Sequence, residues 1–177
     1  MKYFNLISAF ALVLILGCSS PEKKAVNAIE ALEKELFSED GRLDPNRVEE
    51  LIAAYLNYAD TYPKDSLAPK FLFKAGDVTM NTGRATQAIK FYGRILEQYP
   101  DYSKAPEALF LQGYVYENNL GRLDKAKAIY EEFLAKYPNN DFADDAEVSL
   151  KYLGKTPEEL IQIFQQNSEN QQTEKQE

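Results

Sequence analysis

Tyr-Pro recurs at Tyr62-Pro63, Tyr99-Pro100 and Tyr137-Pro138, in steps of 37 and 38 residues. A fixed period of this size restricts the chain to one supersecondary unit repeated and stacked on itself. The stretches before each pair read "NRVEELIAAYLNYADT", "GRATQAIKFYGRILEQ" and "GRLDKAKAIYEEFLAK". Each puts a tyrosine at the same place: Tyr55, Tyr92 and Tyr130. Apolar residues return at helical spacing, with Ala88, Phe91, Tyr92, Ile95 and Leu96 in one stripe and Ala126, Ile129, Tyr130, Phe133 and Leu134 in its counterpart. These stripes predict the second helices of helical hairpins. Gly41-Arg42 resembles the Gly-Arg at 83–84 and 121–122 but stands farther from its Tyr-Pro, which places it in a longer loop.

The prolines fit the same scheme. Pro63, Pro100 and Pro138 lie where the second helices must stop, because proline cannot continue a helix and drives its predecessor out of the α region. Ser66, Ser103 and Asp141 follow at matched spacing as expected caps of the next helix. Pro69 and Pro106 then fall in its first turn, where a missing N–H has no intrahelical partner to lose.

Both ends depart from the pattern. Ala25, Ile29, Leu32 and Leu36 predict a first helix packed on the first hairpin, with a short coiled coil as the alternative. "GKTPEELIQIFQQ" predicts a short closing helix capped by Thr156, with Pro157 at its first position, Glu159 in a capping box and Leu160, Ile161 and Phe164 inward. From residue 167 to 177, "NSENQQTEKQE" has no apolar residue and reads as a disordered polar tail. The repeat domain is thus expected over residues 23–166.

At the amino end, "MKYFNLISAFALVLILGCSS" joins Lys2 to an apolar run from Phe4 to Leu16 and then to Gly17-Cys18. The run falls short of the ~20 residues of a membrane span and has the form of a secretory signal. Ile15-Leu16-Gly17-Cys18 is similar to the lipobox of bacterial lipoproteins, with Leu16 where a small residue is usual. The resemblance implies a signal peptide over residues 1–17, lipidation of Cys18 and a short linker over 18–22. At ~0.8 kcal/mol for each buried methylene, two or three acyl chains would hold the protein on a membrane.

Composition narrows the chemistry. A net charge of -8, without a basic run beyond Lys23-Lys24, argues against nucleic acid as a partner. The chain has one cysteine and no histidine, so it can form no internal disulfide and lacks the commonest general base. Glu49-Glu50, Glu131-Glu132 and Asp144-Asp145 are adjacent on predicted helices and diverge by about 100 degrees, so neither acid shares a focus with its neighbour. "DFADDAE" over 141–147 lacks the order of a calcium loop and reads as a favourable first turn, a cation site being the alternative. No phosphate loop or nucleophile–histidine arrangement occurs, and no catalytic, cofactor or metal residues are assigned.

The repeat resembles the tetratricopeptide repeat, a helical hairpin of about 34 residues. Gly76, Gly83, Ala88, Tyr92 and Pro100 occupy that pattern's small, turn, small, aromatic and proline places. Gly113, Gly121, Ala126, Tyr130 and Pro138 do so again after one inserted residue between the glycines, while a further unit has Lys151 where the close-contact glycine belongs. The resemblance implies an all-α solenoid of about three hairpins plus a capping helix, with a concave surface made by the first helices. It places Phe73, Asp77, Met80 and Asn81, and then Phe110, Tyr114, Glu117 and Asn118, as partner-binding positions. The other reading of Phe73 and Phe110 buries them against neighbouring helices. A lipoprotein with these units is similar to the BamD-like outer-membrane assembly family and to the repeat part of Tol-Pal coordinator proteins, although the latter implies a trimerising coiled coil not found in the sequence. Either implies a non-enzymatic, lipid-anchored adaptor for protein partners of the cell envelope; an accessory to a surface receptor or uptake system is the third reading.

Overall fold

The structure, a computed structural model, describes residues 20–36 and 41–174, with side chains as far as 166. The leader and Cys18 lie outside the described residues. Among the described residues the chain is helical, in the order α1 Pro21–Lys34, α2 Pro45–Thr61, α3 Leu67–Asn81, α4 Ala85–Gln98, α5 Ala105–Tyr114, a π-helical turn Val115–Asn119, α6 Leu123–Lys136, α7 Ala143–Tyr152 and α8 Pro157–Glu174. Each helix packs on its predecessor from α1 through α7, which gives the antiparallel stack of hairpins that the period predicts.

Three apolar clusters run through the stack. Ile29, Leu51, Tyr55, Tyr58 and Phe71 join α1, α2 and α3, and so tie the first helix to the hairpins as a packed element of the solenoid. Leu72, Phe73, Tyr92, Ile95 and Ala108 fill the middle. Leu109, Phe110, Tyr130, Phe133 and Ala146 close the far end. The equivalent tyrosines are deeply buried, at 2% exposure for Tyr55 and 0% for Tyr92 and Tyr130.

Identical bonds follow each Tyr-Pro. The N–H groups of Asp65, Tyr102 and Asn140 donate to the carbonyls of Tyr62, Tyr99 and Tyr137, and those of Ala68, Ala105 and Ala143 donate to the carbonyls of Asp65, Tyr102 and Asn140. Two successive turns thus carry the chain into the next first helix. The expected side-chain caps are displaced: Ser66 makes no capping bond, and α5 and α7 start one residue after Lys104 and Phe142 rather than at Ser103 and Asp141. Asp65 Oδ1 accepts from Leu67 N–H at 2.7 Å, and Asn140 Oδ1 from Phe142 N–H at 3.1 Å. The Asp and Asn one residue earlier thus take the bond expected of Ser66 and Asp141, each reaching the N–H two residues on.

Gly83 and Gly121 turn the hairpins at φ of +76° and +61°, and no atom lies within 4 Å of where a Cβ would stand on either. Alanine there therefore meets only the backbone cost of a left-handed residue. Gly83→Ala and Gly121→Ala are expected to destabilise the fold by about 1–2 kcal/mol each, as read by urea unfolding, with asparagine recovering part of the loss.

Both ends differ from expectation. Helix α1 starts at Pro21, before residue 23, because Ser20 accepts from Lys23 N–H at 3.3 Å and Pro21 suits the first turn. At the other end the capping box is present: Glu159 N–H donates to Thr156 Oγ1 at 3.2 Å, and Thr156 N–H to Glu159 Oε2 at 2.8 Å. The helix it opens does not stop at 166. It runs to Glu174, since Gln and Glu are good helix formers and no proline or glycine interrupts them. Ile161 and Phe164, expected inward, are 57% and 52% exposed, and of the apolar residues with described side chains in this helix only Leu160 and Ile163 are half-buried. With Lys151 in place of a glycine, α7 has no flat strip on which a helix can close.

Candidate functional site

The first helices α1, α3 and α5 lie side by side and leave one stripe uncovered. On α3 it runs through Lys70, Lys74, Asp77 and Asn81, and on α5 and the π turn through Glu107, Leu111, Tyr114 and Asn118, residues that are exposed or half-buried. Contacts across this face confirm the adjacency. Lys74 Nζ of α3 meets Glu33 Oε1 of α1 at 2.6 Å, and Lys104 Nζ stands 4.5 Å from the centre of the Phe73 ring.

Behind the stripe, each second helix holds an acid of its own first helix. The Tyr55 hydroxyl donates to Glu33 Oε1 at 2.7 Å, Tyr92 to Asp77 Oδ1 at 2.7 Å and Tyr130 to Glu117 Oε2 at 2.9 Å. Burial, together with the neighbouring carboxylate, raises all three phenol pKa values well above the ordinary range, so each remains a donor. The carboxylates respond differently. Burial pushes Glu33 up, but the bonds from Lys74 and Tyr55 outweigh it and hold the group below its usual range. For Asp77, burial and the nearby Glu107 outweigh the Tyr92 bond and the field of Lys104, and its carboxyl sits above the usual range.

The inserted residue between the glycines of the second unit appears as the π-helical turn. Leu120 N–H donates to the Val115 carbonyl at 3.1 Å, five residues back, where Thr82 N–H in the preceding unit reaches four back to Val78 at 3.0 Å. The tyrosine clamp also falls at a different place, because the position of Asp77 is taken by Tyr114. Tyr92 takes Asp77, the residue after Gly76, whereas Tyr130 takes Glu117, one helical turn beyond Gly113. Tyr114, at the place of Asp77, is 42% exposed on the open face. Single π turns often mark functional positions, and this one directly follows the exposed aromatic side chain.

The eight expected partner-binding residues separate into two groups. Phe73 and Phe110 are not available: they are 5% and 8% exposed, their rings pack on Tyr92 and Tyr130 at 5.7 and 5.6 Å, and Lys104 covers what is left of Phe73. The cause is helical spacing, since each stands three residues before the glycine that admits the tyrosine. Met80 is half-buried against the middle cluster and belongs mostly to the core. Asp77, Asn81, Tyr114, Glu117 and Asn118 do lie on the first-helix face. Asn81 and Asn118 anchor alike, each donating from Nδ2 to the carbonyl four residues back, Asp77 at 2.9 Å and Tyr114 at 3.1 Å.

Other participants are not apparent from the sequence. Gln112 is 8% exposed and donates from Nε2 to the Ile89 carbonyl at 2.8 Å, a bond that joins successive hairpins. Gly93 makes room for it, since a Cβ there would stand 3.2 Å from that nitrogen. The tyrosine–acid pairs had one sequence sign, the tyrosine at a constant place, but its partner could not be read from spacing. Among the described residues no group of three or more potential metal ligands gathers, and Asp144 and Asp145 lie exposed in the first turn of α7. Among them, too, no helix is long and apolar enough to cross a membrane.

Comparison with known families places residues 71–102 and 107–140 in the tetratricopeptide repeat. These spans cover the α3–α4 and α5–α6 hairpins with the turns that follow them. No curated protein gives a significant match to the chain.

Proposed function

We propose that this tetratricopeptide-repeat protein is a lipid-anchored adaptor that holds a protein partner on the face of its first helices at a bacterial outer membrane, in the assembly or organisation of outer-membrane proteins. The observation that carries the reading is the exposed Tyr114 ring beside Asn118 and in line with Asp77 and Asn81. Tetratricopeptide repeats act as protein-interaction scaffolds, and an exposed aromatic side chain is a common anchor in such contacts. The membrane half of the proposal rests on the leader and on Cys18, with α1 beginning only at Pro21. Confinement to one surface raises the effective concentration of a partner held there, so a weak contact on the face suffices.

Each half has its own test. Cys18→Ala is expected to move the protein from carbonate-washed membranes to the soluble fraction; retention of the variant on the membrane would remove the anchor. Tyr114→Ala is expected to abolish copurification of the partner while leaving the melting temperature within a few degrees, because the ring is partly solvated. Undiminished copurification would remove this face as the binding surface.

A further inference from the structure

Between the end of α1, the start of α2 and the end of α3 lies a cavity of about 240 Å³ lined by Leu36, Leu43, Val48 and Val78 together with Asp77, Asn81 and Thr82. It adjoins the first-helix face through Asp77 and Asn81. The volume is below the roughly 300–1,000 Å³ typical of small-molecule sites and suits a single large side chain. Leu43 is 43% exposed at this cavity, whereas Val48 on its wall is 2% exposed.

Asp77 gives the cavity a sign. Its Oδ1 is fixed by the Tyr92 hydroxyl, and among the described residues no lysine or arginine forms an ion pair with it. The nearby cations are already engaged. Lys104 pairs with Glu107 at 3.0 Å over the Phe73 ring, Lys74 with Glu33, Arg84 with Glu49, and Arg47 with Glu35 and Glu50. Partial burial and the field of Glu107 act against the charge on Asp77 and outweigh the Tyr92 bond and the more distant field of Lys104, so a cation brought from outside into direct contact would relieve them. An apolar recess beside a half-buried carboxylate without an ion pair is complementary to an apolar side chain beside a basic one.

We infer that the groove's partner presents a bulky apolar residue to this cavity with a lysine or arginine next to it that pairs with Asp77. The inference rests on the first-helix face being the binding surface, and it names the chemistry of what binds there. Leu36, Leu43 and Val48 belong to the first hairpin and Tyr114 to the third, so a partner segment that meets both runs along the face across successive hairpins. An extended or helical peptide meets that requirement.

The test is selection of a random dodecapeptide phage library against the full chain purified in detergent, followed by binding of the enriched synthetic peptides to three variants. Leu43→Glu places a charge at the cavity, Asp77→Asn removes the charge but keeps an acceptor for Tyr92, and Tyr114→Ala alters the face elsewhere. Circular dichroism melting establishes that each variant is folded. The expected result is enrichment of an apolar–basic pair and a loss of about tenfold or more in affinity with Leu43→Glu and with Asp77→Asn. Peptides that need Tyr114 but tolerate both other substitutions would overturn the cavity assignment and leave the binding face intact. Peptides indifferent to all three, or no enrichment, would overturn both. Self-association of the chain that Leu43→Glu abolishes would also overturn the inference, because the occupant would then be a second copy.

Discussion

Tyr92→Ala is expected to lower the free energy of unfolding by about 3–5 kcal/mol, and Tyr130→Ala by a similar amount. Both rings are completely buried, each fills the space between the two helices of its hairpin, and each hydroxyl is the buried-side partner of an acid on the open face. Truncation leaves a ring-sized void and deprives Asp77 or Glu117 of its donor. Because each repeat contacts only its neighbours, the loss should spread to the adjoining hairpin as a broadened urea transition. Tyr92→Phe separates the contributions: it keeps the ring and removes only the hydroxyl, so it should cost about 1–3 kcal/mol. Equal stability of Tyr92→Ala and the unchanged protein, measured by circular dichroism in urea, would show that the hairpin is not packed around this residue.

Gly76→Ala should also destabilise, by about 1–3 kcal/mol, even though alanine is the better helix former. A Cβ on Gly76 would run into the Tyr92 ring, and one on Gly113 would stand 2.6 Å from Tyr130 Cε1. Neither ring has room to withdraw, being enclosed on its other sides by Phe73 in one hairpin and Phe110 in the next. The prediction has a distinctive sign. In a Tyr92→Leu background the obstruction is gone, and Gly76→Ala should change from harmful to mildly stabilising through its helix propensity of about 1 kcal/mol. The same reversal is expected for Gly113→Ala with Tyr130→Leu. Additive losses in both double variants would place the source of the penalty elsewhere.

These pairs explain why much of the fold was legible in the chain. A repeat writes one set of constraints several times, so Gly76 with Tyr92 and Gly113 with Tyr130 identify the helix contact before any coordinate is known. Turn glycines are legible for a similar reason, since a left-handed residue narrows the choice of side chain. What failed depended on orientation. Phe73 and Asp77, four residues apart, lie on the same side of α3, and periodicity alone does not tell that the first is buried and the second open. Capping was misplaced by one residue because Asp65 and Asn140 compete with Ser66 and Asp141 for the same turn. The extra residue in the second unit was visible as spacing, but a hairpin can absorb it in a loop or within a helix. The backbone takes it up as the π turn that follows Tyr114. At the closing helix, the apolar residues suggested an inward face, but α7 offers no glycine strip to receive it, and Ile161 and Phe164 remain exposed.

The central claim is that recognition takes place on the first-helix face while the chain is held at a membrane. Site-specific photocrosslinking in intact cells tests it most directly, with the photoreactive residue placed at Asn81 or Tyr114 on that face and at Lys90 or Ala128 on the exposed side of the second helices. The account predicts a discrete protein adduct shared by Asn81 and Tyr114, absent at Lys90 and Ala128, and reduced when Cys18→Ala releases the chain from the membrane. Adducts formed efficiently from Lys90 and Ala128, with none from Asn81 or Tyr114, would contradict it and assign the binding to the outer surface of the solenoid.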